Sequence, residues 1–134
     1  PTVPPLERLR RYMDYGLKFQ TEIRNKCGRV LGCPLYTLGS EICTQETVLR
    51  DKIQSILEEK RKYLESAIRD AHAAGLINAP DPVAKARMLY AYYQGLQAEA
   101  RIRNSLEILQ DAVHGTYELL GVKTEEPALA AALI

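Results

Sequence analysis

Apolar residues recur at three- and four-residue spacing over most of the chain, a period typical of amphipathic α-helices. No alternating run bounded by an Asn-Gly or Asp-Gly turn indicates a β-hairpin. The spacing predicts four main helices and one short helix, over residues 5–24, 35–42, 46–74, 81–103 and 105–121. We therefore expect an all-α fold, an antiparallel helical bundle of about five helices that forms a single domain over residues 1–134.

Residues at the predicted helix ends support these boundaries. Pro5 suits a first helical turn, and Asp81 followed by Pro82 combines an N-cap with a proline at the first helical position. Gly75 and Gly121 stand where left-handed C-terminal caps belong. Local chemistry thus indicates where the long helices begin and end.

Two predictions concern burial. The first helix carries apolar residues on two faces, one including Leu9 and Met13 and the other including Tyr15 and Phe19, so we expect it to be central. The short helix over 35–42 has almost no charge, so we expect it to be buried.

The last part of the chain predicts a helical hairpin. Asn104 and Ser105 are the only residues between two long helices, and Ser105 is a suitable cap for the second one. So short a joint makes the two helices antiparallel. Thr124 is a candidate cap for a final short helix, whose apolar end at Leu133 and Ile134 needs cover, for example from another subunit.

Composition indicates an ordinary globular domain, with 46% hydrophobic and 26% charged residues. No apolar run approaches the ~18 residues of a membrane span, and we identify no signal peptide. Three cysteines without a secretory signal favour a reducing compartment, so we expect a cytoplasmic protein. A net charge of +1 predicts that this chain alone binds DNA poorly, because DNA-binding domains carry a clustered positive excess.

The cysteines and histidines do not match a zinc pattern. Cys27, Cys33 and Cys43 are separated by five and nine residues, and neither His72 nor His114 has a second ligand on its helix face. Buried or half-buried thiols are the main interpretation of the cysteines. A thiol that senses redox state or contacts a ligand is the alternative, and we expect no metal and no cofactor.

The chain also lacks the patterns of common enzymes. Glu58-Glu59 and Glu125-Glu126 are adjacent pairs, and neighbours on a helix point ~100° apart, so they cannot share one substrate atom. No nucleophile elbow, phosphate-binding loop or dinucleotide fingerprint is present. We therefore do not expect an enzyme.

Tyrosines are the most informative side chains. There are eight, with one Phe and no Trp, and most fall on four predicted helices that a bundle brings together. Such a cluster forms either an aromatic cavity with a few polar groups or an aromatic part of the core. The pattern alone leaves both alternatives open.

The predicted hairpin over residues 83–120 offers a second functional surface. Its small and apolar residues occupy more than one face, so one face can pack on the domain and the other on a symmetry mate. We predict a homodimer whose interface includes Ala91, Gly95, Ala98, Ile102, Leu109, Ala112, Val113, Thr116, Tyr117 and Leu120.

Four segments in this order resemble a known family. They are "GCPLYTLGSEI", "IRDAHAAGLI", "DPVAKARMLYAYYQGLQAEARI" and "SLEILQDAVHGTYELLG". Together, over about residues 5–121, they resemble the C-terminal domain of TetR-family (tetracycline-repressor-like) transcriptional regulators.

The resemblance implies a domain that binds a small, often apolar or aromatic effector among its helices and dimerises through its last two large helices. The family's N-terminal helix-turn-helix domain is missing from this chain. We expect a repressor that binds DNA only through that missing domain. Among these residues we predict a ligand site at Tyr12, Met13, Gly16, Phe19, Cys33, Tyr36, Tyr63, Tyr90, Tyr93 and Gln94. The alternative is a helical homodimerisation module with no small-molecule ligand.

Overall fold

The computed structural model describes residues 3–123, which form five α-helices and one short 3₁₀ helix. They are α1 (Pro5–Cys27), α2 (Pro34–Ile42), α3 (Thr47–Ala73), α4 (Pro82–Arg103), the 3₁₀ helix Glu107–Asp111 and α5 (Ala112–Leu120). No residue within 3–123 lies in a β-strand, and the predicted all-α class is confirmed.

Capping interactions explain where two of these helices end or begin. Gly28 follows α1 with φ of 78°, and its N–H donates to the Arg24 carbonyl at 2.8 Å. At the start of α4, the Asp81 carboxylate accepts a hydrogen bond from the Ala84 N–H at 3.1 Å. Both contacts satisfy backbone groups that a helix terminus leaves without an intrahelical partner.

The central helix is α4, which packs against α3, the 3₁₀ helix and α5. Eight residues of α4 are buried, against four of α1. The prediction that α1 is central is wrong, because Tyr15 and Phe19 on its second apolar face are 69% and 44% exposed. The tightest part of the core contains the fully buried side chains Leu9, Met13, Leu64, Ile68, Leu89 and Leu120.

Polar contacts join α1 to its neighbours at the end of the bundle where α1 begins. The Tyr117 hydroxyl of α5 donates to the Leu6 carbonyl at 3.4 Å. Arg8 forms an ion pair with Asp70, near the end of α3. The first turns of α1 are therefore tied to both α5 and α3.

A sharp corner connects α4 to the last helix. Asn104 has φ of 50°, a left-handed conformation, and its Oδ1 accepts a hydrogen bond from the Val30 N–H at 2.9 Å. Beyond Ser105, whose Oγ accepts from the Glu107 N–H at 3.2 Å, the chain first forms the 3₁₀ helix. The predicted continuous helix over 105–121 is thus wrong in its first turns, and α5 begins at Ala112.

Helix α2 lies on the surface of the bundle. It packs against α3, yet none of its nine residues is buried, and Tyr36 and Leu38 are 41% and 44% exposed. The prediction of a buried α2 is wrong, because a lack of charge makes burial favourable without supplying a second element to cover the helix. The predicted final helix from Thr124, with Leu133 and Ile134, lies outside the described residues.

Candidate functional site

A cavity of about 350 Å³ lies between α1, α3, α4 and the segment that leads into α2. Its volume is within the range of small-molecule sites. Aromatic rings and uncharged polar side chains make up most of its wall. The lining residues are Tyr12, Tyr15, Gly16, Phe19, Gln20, Gly32, Cys33, Pro34, Lys60, Tyr90, Tyr93, Gln94 and Gln97.

The cavity has a buried floor and an exposed rim. Gln20, Tyr90, Tyr93, Gln94 and Gln97 are buried and form the floor. Tyr15, Phe19 and Lys60 are exposed and form the rim. A ligand that enters past the rim therefore becomes progressively desolvated.

Gln20 anchors the wall segment formed by residues 28–33. Its Nε2 donates to the Gly32 carbonyl at 2.9 Å, and its Oε1 accepts from the N–H groups of Gly32 at 3.1 Å and Leu31 at 3.3 Å. Gly32 has φ of 69°, and an added Cβ would lie 3.1 Å from the Gln97 carbonyl oxygen. The wall thus approaches α4 closely at a residue that must be glycine.

Two other polar atoms of the floor are buried without a partner. Within the described residues, neither the Tyr90 hydroxyl nor Gln94 Oε1 has a hydrogen-bond partner, although Tyr90 is 4% and Gln94 3% exposed. An unpartnered buried polar atom costs about 1–3 kcal/mol. A small side-chain rotation would bring either atom to a polar group of a ligand, because both side chains line the cavity.

Aromatic contacts shape one side of the cavity. The Tyr12 ring meets the Tyr93 ring edge-on, with centroids 5.4 Å apart, and stacks on Tyr63 at 5.8 Å. A Cβ at Gly16 would lie 1.9 Å from the Tyr93 hydroxyl oxygen, so glycine is what lets that ring reach α1. At the rim, Tyr15 and Phe19 stack with centroids 6.3 Å apart.

Burial keeps the cavity tyrosines protonated over a wider pH range. It raises the pKa of Tyr93 to about 12 and raises the pKa values of Tyr12 and Tyr90 above the ordinary value. At neutral pH these phenols are uncharged, and each hydroxyl retains a proton to donate. The floor therefore presents neutral polar groups to a ligand.

The structure brings together seven of the ten predicted ligand-site residues: Tyr12, Gly16, Phe19, Cys33, Tyr90, Tyr93 and Gln94 all line the cavity. Met13 instead lies in the core, Tyr63 packs behind Tyr12, and Tyr36 lies on α2 beside smaller depressions. One of these depressions, of about 230 Å³, shares Gly32, Cys33 and Gln94 with the main cavity. The binding role of the seven remains a prediction.

Six lining residues were not predicted from the sequence: Tyr15, Gln20, Gly32, Pro34, Lys60 and Gln97. Gln20 and Gln97 were detectable in principle, since each lies four residues after a predicted cavity residue, Gly16 and Tyr93 respectively. Lys60 lies three residues before the predicted residue Tyr63, but a lysine was not expected in an aromatic site.

The predicted dimer-interface residues divide into two groups. Ala91, Gly95, Ala98 and Ile102 are exposed on α4, and Val113 is half-buried. The side chains of the other five are buried within the chain itself, and their part in an interface stays a prediction; they are Leu109, Ala112, Thr116, Tyr117 and Leu120. Thr116 and Tyr117 face the core because α5 packs on both α1 and α4.

The cysteines provide no metal centre in the described part of the chain. All three thiols are free, with Cys27 exposed and Cys33 and Cys43 half-buried. Over residues 3–123, no group of three or more potential metal ligands comes together. In the same range, no helix combines the length and apolar character needed to cross a membrane.

Comparison with known families gives one match. The family described as "Tetracyclin repressor-like, C-terminal domain" matches residues 5–116, from the start of α1 into α5. Neither the curated proteins nor the solved structures include a significant match. The family match spans most of the chain, and the chain therefore belongs to the tetracyclin repressor-like C-terminal domain family.

Proposed function

We propose that this chain is the effector-binding and dimerisation domain of a TetR-like transcriptional regulator. Its role is binding rather than catalysis, and its effector is a small apolar or aromatic molecule held in the cavity. The observation that carries the proposal is the aromatic cavity whose floor holds two unpartnered buried polar atoms, on Tyr90 and Gln94. Membership of the family supplies the regulatory context.

Energetics supports binding at this position. The Tyr90 hydroxyl and Gln94 Oε1 are buried without a partner among the described residues, at a cost of about 1–3 kcal/mol for each atom. A ligand with matching polar groups recovers part of that cost, and its rings gain apolar contact with Tyr12 and Tyr93. Occupation of the cavity is therefore favourable for polar and apolar reasons together.

The exposed face of α4 supports dimerisation. Met88, Ala91, Gly95, Ala98 and Ile102 follow one another at three- and four-residue spacing, and all are exposed. Met88 is 51% and Ile102 78% exposed, and the small residues between them allow a second helix to approach closely. We propose that this uncharged face and the neighbouring Val113 form a two-fold interface in a cytoplasmic homodimer.

The regulatory mechanism that we propose is a population shift. Effector binding favours one arrangement of the dimer, which changes the spacing of DNA-reading helix-turn-helix domains attached to this domain. The size of the effect is limited by the difference in effector affinity between the two arrangements.

Thermal melting against a panel of aromatic and apolar compounds tests the ligand. A compound at a hundred times its dissociation constant adds about 2.7 kcal/mol of stability. Cys33→Phe places a ring at the cavity wall and should abolish the shift, whereas Cys27→Phe, at an exposed position, should retain it. A wild-type chain that no compound stabilises would favour the alternative, a dimerisation module without a ligand.

Sedimentation tests the interface. Gly95→Arg adds a charged side chain where no atom lies within 4 Å of the new Cβ, so the monomer tolerates it while the dimer does not. The control is Ala73→Arg, which adds the same side chain at an exposed position near the end of α3. An unchanged dimer in Gly95→Arg would contradict the proposed interface.

A further inference from the structure

The charge around the cavity is one-sided. Among the described residues that line it, Lys60 is the single charged one, and the others are aromatic, small or polar without charge. Lys60 is exposed on α3, so its ammonium group belongs to the rim rather than to the floor. A ligand that enters the cavity therefore meets positive charge and no lining carboxylate.

The surroundings of Lys60 leave its charge available. No acidic residue lies three or four positions from Lys60 on α3, so none shares its helix face. Glu58 forms an ion pair with Arg61. Within residues 3–123, Lys60 takes part in no ion pair. The Lys60 ammonium group is thus available to an anionic group from outside the chain.

The rim also carries aromatic faces, which by themselves attract cations. Tyr15 and Phe19 stack there with centroids 6.3 Å apart and an interplanar angle of 16°. Lys60 lines the same cavity, so a cation that binds these rings meets a like charge at the rim, and like charges repel. The same rings accept the flat face of an aromatic ligand without regard to its charge.

We propose that the effector is an aromatic anion, with its ring among Tyr12, Phe19 and Tyr93 and its carboxylate or equivalent anionic group beside Lys60. This inference rests on the proposed function and adds the charge of the ligand to it. The buried floor excludes the anionic group, since Tyr90 and Gln94 offer neutral partners only and burial of an unpaired charge is costly. The anionic end therefore remains at the rim, where Lys60 lies.

Three probes with one ring system and different charges test the proposal by calorimetry at neutral pH: 2-naphthoate, the neutral 2-naphthamide and the cationic 2-naphthylmethylammonium. An exposed ion pair at about 4 Å is worth ~1 kcal/mol, which corresponds to about fivefold in affinity. We expect 2-naphthoate to bind about fivefold more tightly than the amide, and the cation to bind most weakly. Added salt should weaken only the naphthoate complex appreciably.

Two matched variants locate the charge. Lys60→Gln should weaken 2-naphthoate about fivefold and leave 2-naphthamide unchanged. Lys62→Gln removes the same charge from an exposed residue on α3 that does not line the cavity, and should change neither affinity. Circular dichroism melts of both variants confirm that the fold is intact.

The outcomes separate the charge of the ligand from the existence of the site. Equal affinities for naphthoate and naphthamide, or equal effects of Lys60→Gln and Lys62→Gln, overturn the anionic ligand and leave the effector site standing. Tightest binding of the cation overturns it in the same way and assigns the rim rings to a cationic ligand. Failure of all three probes to bind the wild-type chain overturns the anionic ligand, and it overturns the effector site as well only if no compound of the thermal panel stabilises the chain.

Discussion

Two regions of this bundle differ in how their interior is filled, although the same helices form both. Around Leu9, Ile68, Leu89 and Leu120 the core is apolar and fully buried. Around Tyr93, one turn further along α4 from Leu89, the interior is aromatic, polar and hollow. If the proposed function holds, stability and binding depend on successive turns of α4, and each can change with limited effect on the other.

The cavity end itself contains a second contrast, between two buried glutamines. Gln20 is 2% exposed and all of its polar capacity toward the wall is used, in hydrogen bonds to Leu31 and Gly32. Gln94 is 3% exposed, and its Oε1 has no partner within the described residues. One amide supports the wall, and the other is available to a ligand.

The largest expected effect comes from the packed end. Ile68→Ala should lower the free energy of unfolding by about 3 kcal/mol, because Ile68 is fully buried and the cavity left behind cannot collapse completely. Urea denaturation at fixed protein concentration measures this change. The control Val48→Ala, at a residue that is 77% exposed, should cost about 0.5 kcal/mol or less. A marked loss of effector affinity in Ile68→Ala would show that the two ends are not independent.

The next effect separates the two glutamines. Gln20→Leu should cost about 2–3 kcal/mol of stability, because it leaves the N–H groups of Leu31 and Gly32 and the Gly32 carbonyl without their partner.

Gln94→Leu is the matched substitution and should leave stability unchanged or raise it by up to ~1 kcal/mol, because an unpartnered atom is removed. It should nevertheless weaken effector binding. Comparable destabilisation by both substitutions in urea would contradict the distinction between a supporting and an available amide.

High pH should weaken the cavity end. Burial raises the pKa of Tyr93 from 10.0 to about 12, so its contribution to stability is complete below pH 10 and is lost as the pH rises toward 12. The loss should amount to about 2 kcal/mol, since one pKa unit corresponds to ~1.4 kcal/mol and Tyr93 is 5% exposed. Urea midpoints measured across this range should fall less steeply for Tyr93→Phe. An equal slope in both proteins would refute the role of this phenol.

The smallest effect concerns the fit of Tyr93 against α1. Gly16→Ala places a Cβ 1.9 Å from the Tyr93 hydroxyl oxygen and 3.0 Å from its Cζ, so the ring must move. We expect a net cost of about 1 kcal/mol, after the gain in helix propensity, and an altered ligand preference. Gly95→Ala, where the new Cβ has no neighbour within 4 Å, should gain about as much as the helix propensity alone predicts. Equal stability changes at the two glycines would contradict this fit.

Helix boundaries were predictable because their causes are local. Pro5, Asp81 and Gly121 act within one turn of their own positions, and each is found where the sequence indicates an end. The long helices consequently differ from their predicted ranges by at most a few residues. The failure over residues 105–111 is also local: the left-handed Asn104 is followed by a 3₁₀ turn that apolar spacing does not reveal.

Membership of the cavity was only partly predictable, because it depends on how helices rotate against one another. Tyr63 and Lys60 lie three residues apart on α3, yet the lysine lines the cavity and the tyrosine packs behind Tyr12. Residue type misled in the same way at Gln20, a polar side chain that the structure buries. Whether a side chain is exposed or buried depends on how the helices pack together and cannot be read from one helix alone.

The hydrogen bond between Val30 and Asn104 joins two connections of the chain, the one between α1 and α2 and the one that follows α4. Asn104 ends α4 at the corner that leads to α5, and the same residue accepts from Val30 N–H, two residues before the cavity-lining Gly32. If the wall is pushed outward, either this bond breaks or the corner follows. A ligand that displaces this segment by a small amount would therefore either break the Val30–Asn104 hydrogen bond or move the corner between α4 and α5. A single hydrogen bond thus connects the segment beside the cavity to the junction between the last two large helices.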